Sequence, residues 1–335
     1  MQKSLLKSLA KLNRKNIMII GDMVADVYLD GKISRISREA PVLILEYMGE
    51  KVVPGGAANA VNNLASLGGA VYAVGFVGDD NIGNKLIDEL ATKGVNTDGL
   101  IVDKDRPTIT KTRIMAGGQA TVRQQVVRID RESKDPLAPA TEKALLDYIT
   151  ANINQMKAVV ISDYGSGTVT PSIIATVLPT CKKLNIPCIV DSRYNILAYK
   201  GCTVVKQNEA EAAAVLGYDL TDMAALNRAG WELLSRLEAT AVLITRGPDG
   251  MSLYEATGEI THIPVTNKSE VYDVTGAGDT VVAAMSLALA AGVSFVDAAR
   301  LANFAAGVVV RKPGTATTTL EEIKQAIGDH NEDSC

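Results

Sequence analysis

The sequence predicts an α/β protein: a mainly parallel central sheet with helices on both faces, plus a small separate β-sheet acting as a lid. Three observations predict it. Short, fully apolar runs recur and end in polar residues; helical patterns separate these runs; and two segments, 32–54 and 106–130, carry strand-like patterns only. The body of the α/β domain is accordingly expected from 1–31, 55–105 and 131–335, with the lid inserted into it.

The elements follow in order. Between Met1 and Asn16, Leu5, Leu6, Leu9 and Leu12 recur at helical spacing, broken by Lys7 and Lys11. This is an amphipathic first helix, because a signal peptide would have an unbroken apolar centre. Ile17-Met18-Ile19-Ile20 then reads as a strand buried on both faces, ending at Gly21-Asp22 with Asp26 four residues on. The same grammar recurs at Ala158–Ile161 before Asp163-Tyr164, and at Ile186–Val190 before Asp191. It returns at Cys202–Val205 before Asn208 and Glu211, and at Ala241–Ile244 before Thr245-Arg246-Gly247. Helical patterns occupy Glu142–Asn154, Pro171–Leu184 and Met223–Leu237 between them. Alternating strand and helix means a parallel sheet, and such sheets bind ligands at the carboxyl ends of their strands. Five polar strand ends at one edge therefore mark a site.

In the two exceptional segments, Thr108–Met115 and Val122–Ile129 read as a hairpin around Ala116-Gly117-Gly118. The run Val42–Leu45 is apolar on both strand faces, so it needs a cover on each; a second subunit clasping the lid is expected. Ordinary edge strands of the main sheet are the alternative reading of both segments. Pro54-Gly55-Gly56-Ala57-Ala58-Asn59 follows the first, leading into a helix at Ala60–Leu67. The glycines permit close approach of a ligand, and Asn59 either binds a polyol or caps the helix.

The most informative stretch is Asp273-Val274-Thr275-Gly276-Ala277-Gly278-Asp279, running directly into the apolar Thr280–Met285. Glycines at the start of a buried helix leave amides free to seat an anion, favoured by the helix dipole. Asp279 falls in the first turn, beside anything bound there. A carboxylate next to a phosphate can accept the proton of a hydroxyl that attacks it. A glycine loop that merely packs a core helix is the plain alternative.

Composition narrows the chemistry. The 335-residue chain is 47% hydrophobic and 21% charged, with net charge −4 and a pI near 5.4, which gives no basic field for nucleic acid or anionic lipid. The longest apolar run, Val281–Val293, is too short to span a bilayer. Cys181, Cys188, Cys202 and Cys335 show no metal-like pairing and read as thiols of a reduced, cytoplasmic compartment. His262 and His330 are the only histidines, which argues against His–metal sites and Ser–His–Asp triads.

Taken together, Gly21-Asp22 with Asp26, Gly55-Gly56-Ala57-Ala58-Asn59, Asn208-x-x-Glu211, Thr245-Arg246-Gly247-x-x-Gly250 and Asp273-x-Thr275-Gly276-Ala277-Gly278-Asp279 resemble the ribokinase-like (phosphofructokinase-B) sugar kinases. Order and spacing fit from about Asn16 to Ile327. The resemblance implies a three-layer α/β/α sandwich and ATP-dependent phosphorylation of a sugar. Within the family, Ser34–Val42, Pro107–Arg113 and Arg123–Asp130 are most similar to the kinases of D-glycero-β-D-manno-heptose 7-phosphate, which act at O1. This chain has Ser37-Arg38-Glu39-Ala40-Pro41, Ser166 and Asp191-Ser192-Arg193 where those kinases tend to have Ser-Pro-Glu-Ala-Pro, Lys and Asp-Pro-Lys. Many of them are fused to a nucleotidyltransferase with a His-x-Gly-His site, a motif that the two distant histidines do not form.

By this resemblance Asp279 is the base, and the amides of Gly276, Ala277 and Gly278 form the anion hole. Asp22, Asp26, Gly55, Gly56 and Asn59 would hold sugar hydroxyls. Lys111 and Arg113 share a strand face by period two and would grip a distal phosphate, solvated surface being the alternative. Arg123 and Arg128 have opposite parity and cannot both face inward without a bulge. Thr245, Gly247, Gly250, Asp273 and Thr275 would line the nucleotide, with Asn303 at the adenine or ribose or in a plain helix contact. No Walker-type Lys loop is present, so Mg²⁺, held through water by Asn208 and Glu211, is expected to carry phosphate binding with the glycine loop. A monovalent cation such as K⁺ is found beside this loop in some relatives. Another sugar, sugar phosphate or nucleoside as acceptor, and a non-catalytic binding regulator, are the competing readings.

Overall fold

The computed structural model describes residues 2–118, 121–133, 135–266 and 271–329. In chain order its strands are β1 (Asn16–Gly21), β2 (Met23–Ile36), β3 (Leu43–Gly56), β4 (Ala70–Gly78), β5 (Asn96–Asp103), β6 (Ile109–Gly118), β7 (Thr121–Arg131), β8 (Ala158–Asp163), β9 (Cys188–Ser192), β10 (Val204–Asn208), β11 (Ala241–Thr245), β12 (Met251–Glu255) and β13 (Ile260–Ile263). The helices are α1 (Gln2–Leu9), α2 (Ala57–Ser66), α3 (Asn81–Ala91), α4 (Pro139–Asn152), α5 (Pro171–Leu184), α6 (Glu209–Leu216), α7 (Met223–Leu237), α8 (Ala277–Ala290), α9 (Phe295–Val309) and α10 (Leu320–Asp329).

Nine strands form the main sheet in the order β13-β12-β11-β10-β9-β8-β1-β4-β5. From β11 to β5 every neighbour is parallel, and β12 and β13 add antiparallel strands at one edge. The apolar runs are buried on both sides because alternate residues serve two cores. Ile17 and Ile19 of β1 pack with α2, α8 and α9, whereas Met18 and Ile20 pack with α4, α5 and α7. This is a three-layer α/β/α sandwich. Strand order reverses at β1, with β4 on one side and β8 on the other, so a crevice opens above its carboxyl end.

The expected lid is a four-stranded sheet, β3-β2-β6-β7. The hairpin pairs Thr112 with Ile129 and Ile114 with Val127, as its two runs required. Two expectations need correction, and a third, that Arg123 and Arg128 share a face only across a bulge, meets its condition. β2 belongs to the small sheet from Met23 onward, so the lid begins nine residues before the boundary at 32, and Asp26 lies on a lid strand rather than beyond β1. The first helix ends at Leu9, because Arg14 turns with φ 44° and the chain enters β1 at Asn16; Leu5, Leu9 and Leu12 remain buried. The hairpin register skips Val126: Ile114 faces Val127 while Met115 faces Gln125. That bulge reverses strand parity. It brings Arg123, paired with Asp30, and Arg128, opposite Arg113, onto one face of the lid.

Candidate active site

Two adjoining cavities lie where the lid meets the carboxyl edge of the main sheet. The first, about 330 Å³, is bounded by the ends of β8, β9 and β10, the last of these with Asn208, by Glu211 of α6, and by Val274, Thr275, Gly276, Gly278 and Asp279. The second, about 160 Å³, is bounded by Asp26, Lys111 and Arg113 of the lid, Gly55, Gly56 and Asn59 ahead of and within α2, and Thr315. Asp279 lines both.

The glycine loop takes the form its sequence demands. Gly276 is the N-cap of α8 in a left-handed conformation (φ 80°), and a Cβ there would lie 2.6 Å from the Asn59 amide nitrogen. Asp279 follows in the first turn, 7% exposed. Asn59 Nδ2 donates to its Oδ2 at 2.7 Å, and the Tyr164 hydroxyl donates to its Oδ1 at 2.7 Å. Burial lifts the Asp279 carboxyl to about 6, partly opposed by the two donors and by Lys206, while Asp191 adds to the rise. A buried carboxylate poised near neutrality suits a general base.

On the lid side, Arg113 Nη1 donates to Asp26 Oδ1 at 2.6 Å. Gly55 is required by this contact, since a Cβ there would lie 2.8 Å from the Asp26 carboxyl. Register places Asp26 beside Lys111 and Tyr28 beside Arg113, so Lys111 and Arg113 do share a face, and both line the second cavity. Asn59 is buried with its side chain on the Asp279 carboxylate, so its polar group acts there instead of as a helix cap.

In the first cavity Asn208 caps α6 and forms a capping box with Glu211: Glu211 N donates to Asn208 Oδ1 at 2.8 Å, and Asn208 N to Glu211 Oε2 at 2.9 Å. Both residues also line the cavity, with Asp191. Among the described residues no group of three or more His, Cys, Asp or Glu side chains could enclose a metal. An oxygen-rich wall without a closed cage fits a hard cation that keeps most of its water.

Several expected ligands instead hold the site in shape. Asp22 is fully buried and accepts from the backbone N–H groups of Tyr164, Ser166 and Thr168 at 2.8–3.1 Å, so it positions the turn after β8 and does not line the second cavity. Burial raises its carboxyl, against the hydrogen bonds it receives. Asp273 accepts from the N–H groups of Thr275 and Gly314, tying the glycine loop to the 314 turn rather than lining the first cavity. Partial burial would raise its carboxyl, but these bonds and nearby Arg113 hold it below the usual range. Asn303 is buried and donates to the Pro264 carbonyl at 2.8 Å, the helix-contact alternative. Thr245, Gly247 and Gly250 surround the turn after β11 without lining the first cavity; Gly250 is dictated by the Ile263 carbonyl, 2.0 Å from where a Cβ would stand. Thr275, by contrast, lines both cavities.

Sequence reasoning overlooked Tyr164, Arg193 and Lys206 as site residues. Lys206 is buried and pairs with Asp191 at 2.9 Å; burial would lower its ammonium, but Asp191 and Glu211 more than offset it and raise it. A lysine directly after the strand run Cys202–Val205 was a readable signal. Tyr164 and Arg193 each follow a polar strand end.

A family model described as pfkB family carbohydrate kinase matches residues 14–323. The chain is 44% identical over 314 residues to the bifunctional protein HldE of Geobacter sulfurreducens, covering 93% of this chain and 63% of that protein. It is 42% identical over 322 residues to HldE of Azorhizobium caulinodans, covering 95% and 66%. The chain thus spans a little under two thirds of the length of these curated relatives. Solved structures share the fold at low identity. Arabidopsis thaliana ribokinase with ribose and ATP superposes with a TM-score of 0.71 at 18% identity, covering 94% of this chain and 99% of that one. Escherichia coli phosphofructokinase-2 with fructose-6-phosphate gives 0.73 at 20%, covering 95% and 99%.

Proposed function

Because the chain belongs to the pfkB family of carbohydrate kinases and is an ATP-dependent sugar kinase, we propose that it phosphorylates O1 of D-glycero-β-D-manno-heptose 7-phosphate, giving the 1,7-bisphosphate. One observation carries the mechanism: the Asp279 carboxylate stands at the junction of two cavities, at the amide end of α8. The first cavity takes ATP and the second the sugar. Asp279 accepts the proton of the attacking hydroxyl, the new O–P bond forms, and the bond to the ADP oxygen breaks. The Gly276 and Gly278 amides face the charge that develops on the transferred group, whereas the Ala277 N–H, also expected in the anion hole, donates to the Val274 carbonyl at 3.2 Å. Asn208 and Glu211 would hold Mg²⁺ through water; the ion, when bound, neutralises nucleotide phosphate charge. A monovalent cation beside the loop belongs to the same reading, and equal activity in K⁺ and in tetramethylammonium buffers would remove it.

Lys111 and Arg113 support a phosphorylated acceptor, since both line the second cavity and neither lines the first. The Asp26–Arg113 pair also favours a second reading, a neutral sugar or nucleoside, because Asp26 already balances one of the two cations. ADP release across heptose 7-phosphate, fructose 6-phosphate, ribose, fructose and adenosine decides between them. Turnover confined to neutral acceptors overturns the first reading, and nucleotide binding without turnover overturns both.

The outer lid supports a homodimer: Ile36, Val42, Tyr47, Met48 and Ile129 are each more than half exposed. A monomer by light scattering at micromolar concentration would overturn that assembly. No described helix is long and apolar enough to cross a membrane. Cys181, Cys188 and Cys202 are buried free thiols, in keeping with a cytoplasmic setting.

A further inference from the structure

The two cavities share a narrow set of lining residues: Tyr164, Arg193, Thr275, Gly276 and Asp279. A phosphoryl group that leaves one cavity for the other passes these side chains. One of the five is the base and two belong to the anion-hole loop. Only Arg193 is a cation. Lys111 and Arg113 line the sugar cavity alone, and Lys206 lines the first cavity alone, held by Asp191.

We propose that Arg193 is a catalytic residue that contacts the phosphoryl group in flight and neutralises the charge spread over its equatorial oxygens. The assignment rests on reading the cavities as donor and acceptor sides. Local structure prepares Arg193 for this. Its backbone N–H is anchored to the Asp163 carbonyl at 3.0 Å in the turn after β9. Its guanidinium lies 4.9 Å from the centre of the Tyr164 ring, whose hydroxyl holds Asp279. Stacking on an aromatic face restricts the planar fork and leaves its N–H edge available for phosphate oxygens. The ion pair with Glu211, at 3.8 Å, is longer than a hydrogen bond and does not lock the side chain. Tyr164 thereby joins base and cation, so one aromatic residue sets their mutual position.

The test uses the full chain, with whichever sugar or sugar phosphate the wild type turns over. Arg193→Ala is expected to lower kcat by about 10²–10³-fold while both KM values stay within about threefold, the cation sharing its task with amides and metal. Guanidinium added to the buffer should restore part of that loss. ADP should bind the variant as it binds the wild type, but the tightening produced by fluoroaluminate, a mimic of the phosphoryl group in flight, should vanish. Arg193→Lys, which keeps charge without the fork, should fall between the two, and serves as well if the alanine variant does not fold. A rise in acceptor KM alone, a loss of ADP affinity alone, or a kcat within threefold of wild type overturns the proposal. Wild-type turnover of a different acceptor corrects the substrate and leaves this comparison intact.

Discussion

Removing the Tyr164 hydroxyl while keeping its ring isolates the tuning of the base. In Tyr164→Phe the aromatic face under Arg193 and near Lys111 persists, but Asp279 Oδ1 loses its 2.7 Å donor. A hydrogen bond to a charged group contributes about 1.5–3 kcal/mol, and water recovers part of it at a cavity wall, so a net loss near 1.4 kcal/mol, about one pKa step, is expected. The Asp279 carboxyl, at about 6 in the native protein, would then titrate near ~7 in the variant. The ionised fraction at pH 6 drops from about one half to about one tenth, a roughly fivefold fall in kcat/KM that disappears by about pH 8.5. The assay is kcat/KM for the acceptor, followed by ADP release from pH 5 to 9. An unshifted acid limb, or an equal loss at every pH, would refute the claim that Tyr164 acts through the ionisation of Asp279.

The remaining predictions follow from the same geometry. Asp279→Asn should lower turnover by about 10²–10⁴-fold while ADP still binds. The same variant should be more stable at pH 8. The native carboxyl titrates above its unfolded value of 3.8, so stability is fullest below about pH 4 and falls as pH rises through about 6. Asparagine removes that penalty, at most roughly 3 kcal/mol, and its melting advantage over wild type should close by pH 4; no advantage at pH 8 contradicts the assignment. Gly276→Ala forces a Cβ into the Asn59 amide at a φ of 80°. It should lower kcat by about 10–100-fold, because Asn59 holds the base; near-wild-type kcat would show that the loop can yield. Lys111→Met should raise KM for a phosphorylated acceptor about tenfold and leave neutral sugars unaffected; equal effects on both would place the lysine outside the phosphate grip.

Much of this protein was legible in the linear chain because its signals are local. Runs such as Ile17–Ile20 and Val242–Ile244 announce strands between two helical layers, and Pro171–Leu184 and Met223–Leu237 match their helices, capped by Thr170 and Asp222. The glycine loop and Asp279 were equally readable, since an amide-rich helix start needs only adjacent residues. The strands Ala70–Gly78 and Asn96–Asp103 were missed: glycines and polar residues interrupt them, and pairing of the first with β1 and of the second with the first supplies the rest of their signal.

Tertiary structure alone decided which carboxylates reach a cavity. Asp22 and Asp279 both follow apolar context and glycine, yet one is consumed by three backbone amides of a turn some 140 residues away and the other faces a cavity. It also decided that Arg123 and Arg128 share a face, through the bulge at Val126, and that Tyr164 and Arg193 line both cavities. Sequence specifies how a segment folds because backbone geometry and burial act over a few residues. Which partner a buried polar group finds depends on chain crossings hundreds of residues apart, and only the packed molecule brings those groups within hydrogen-bond reach.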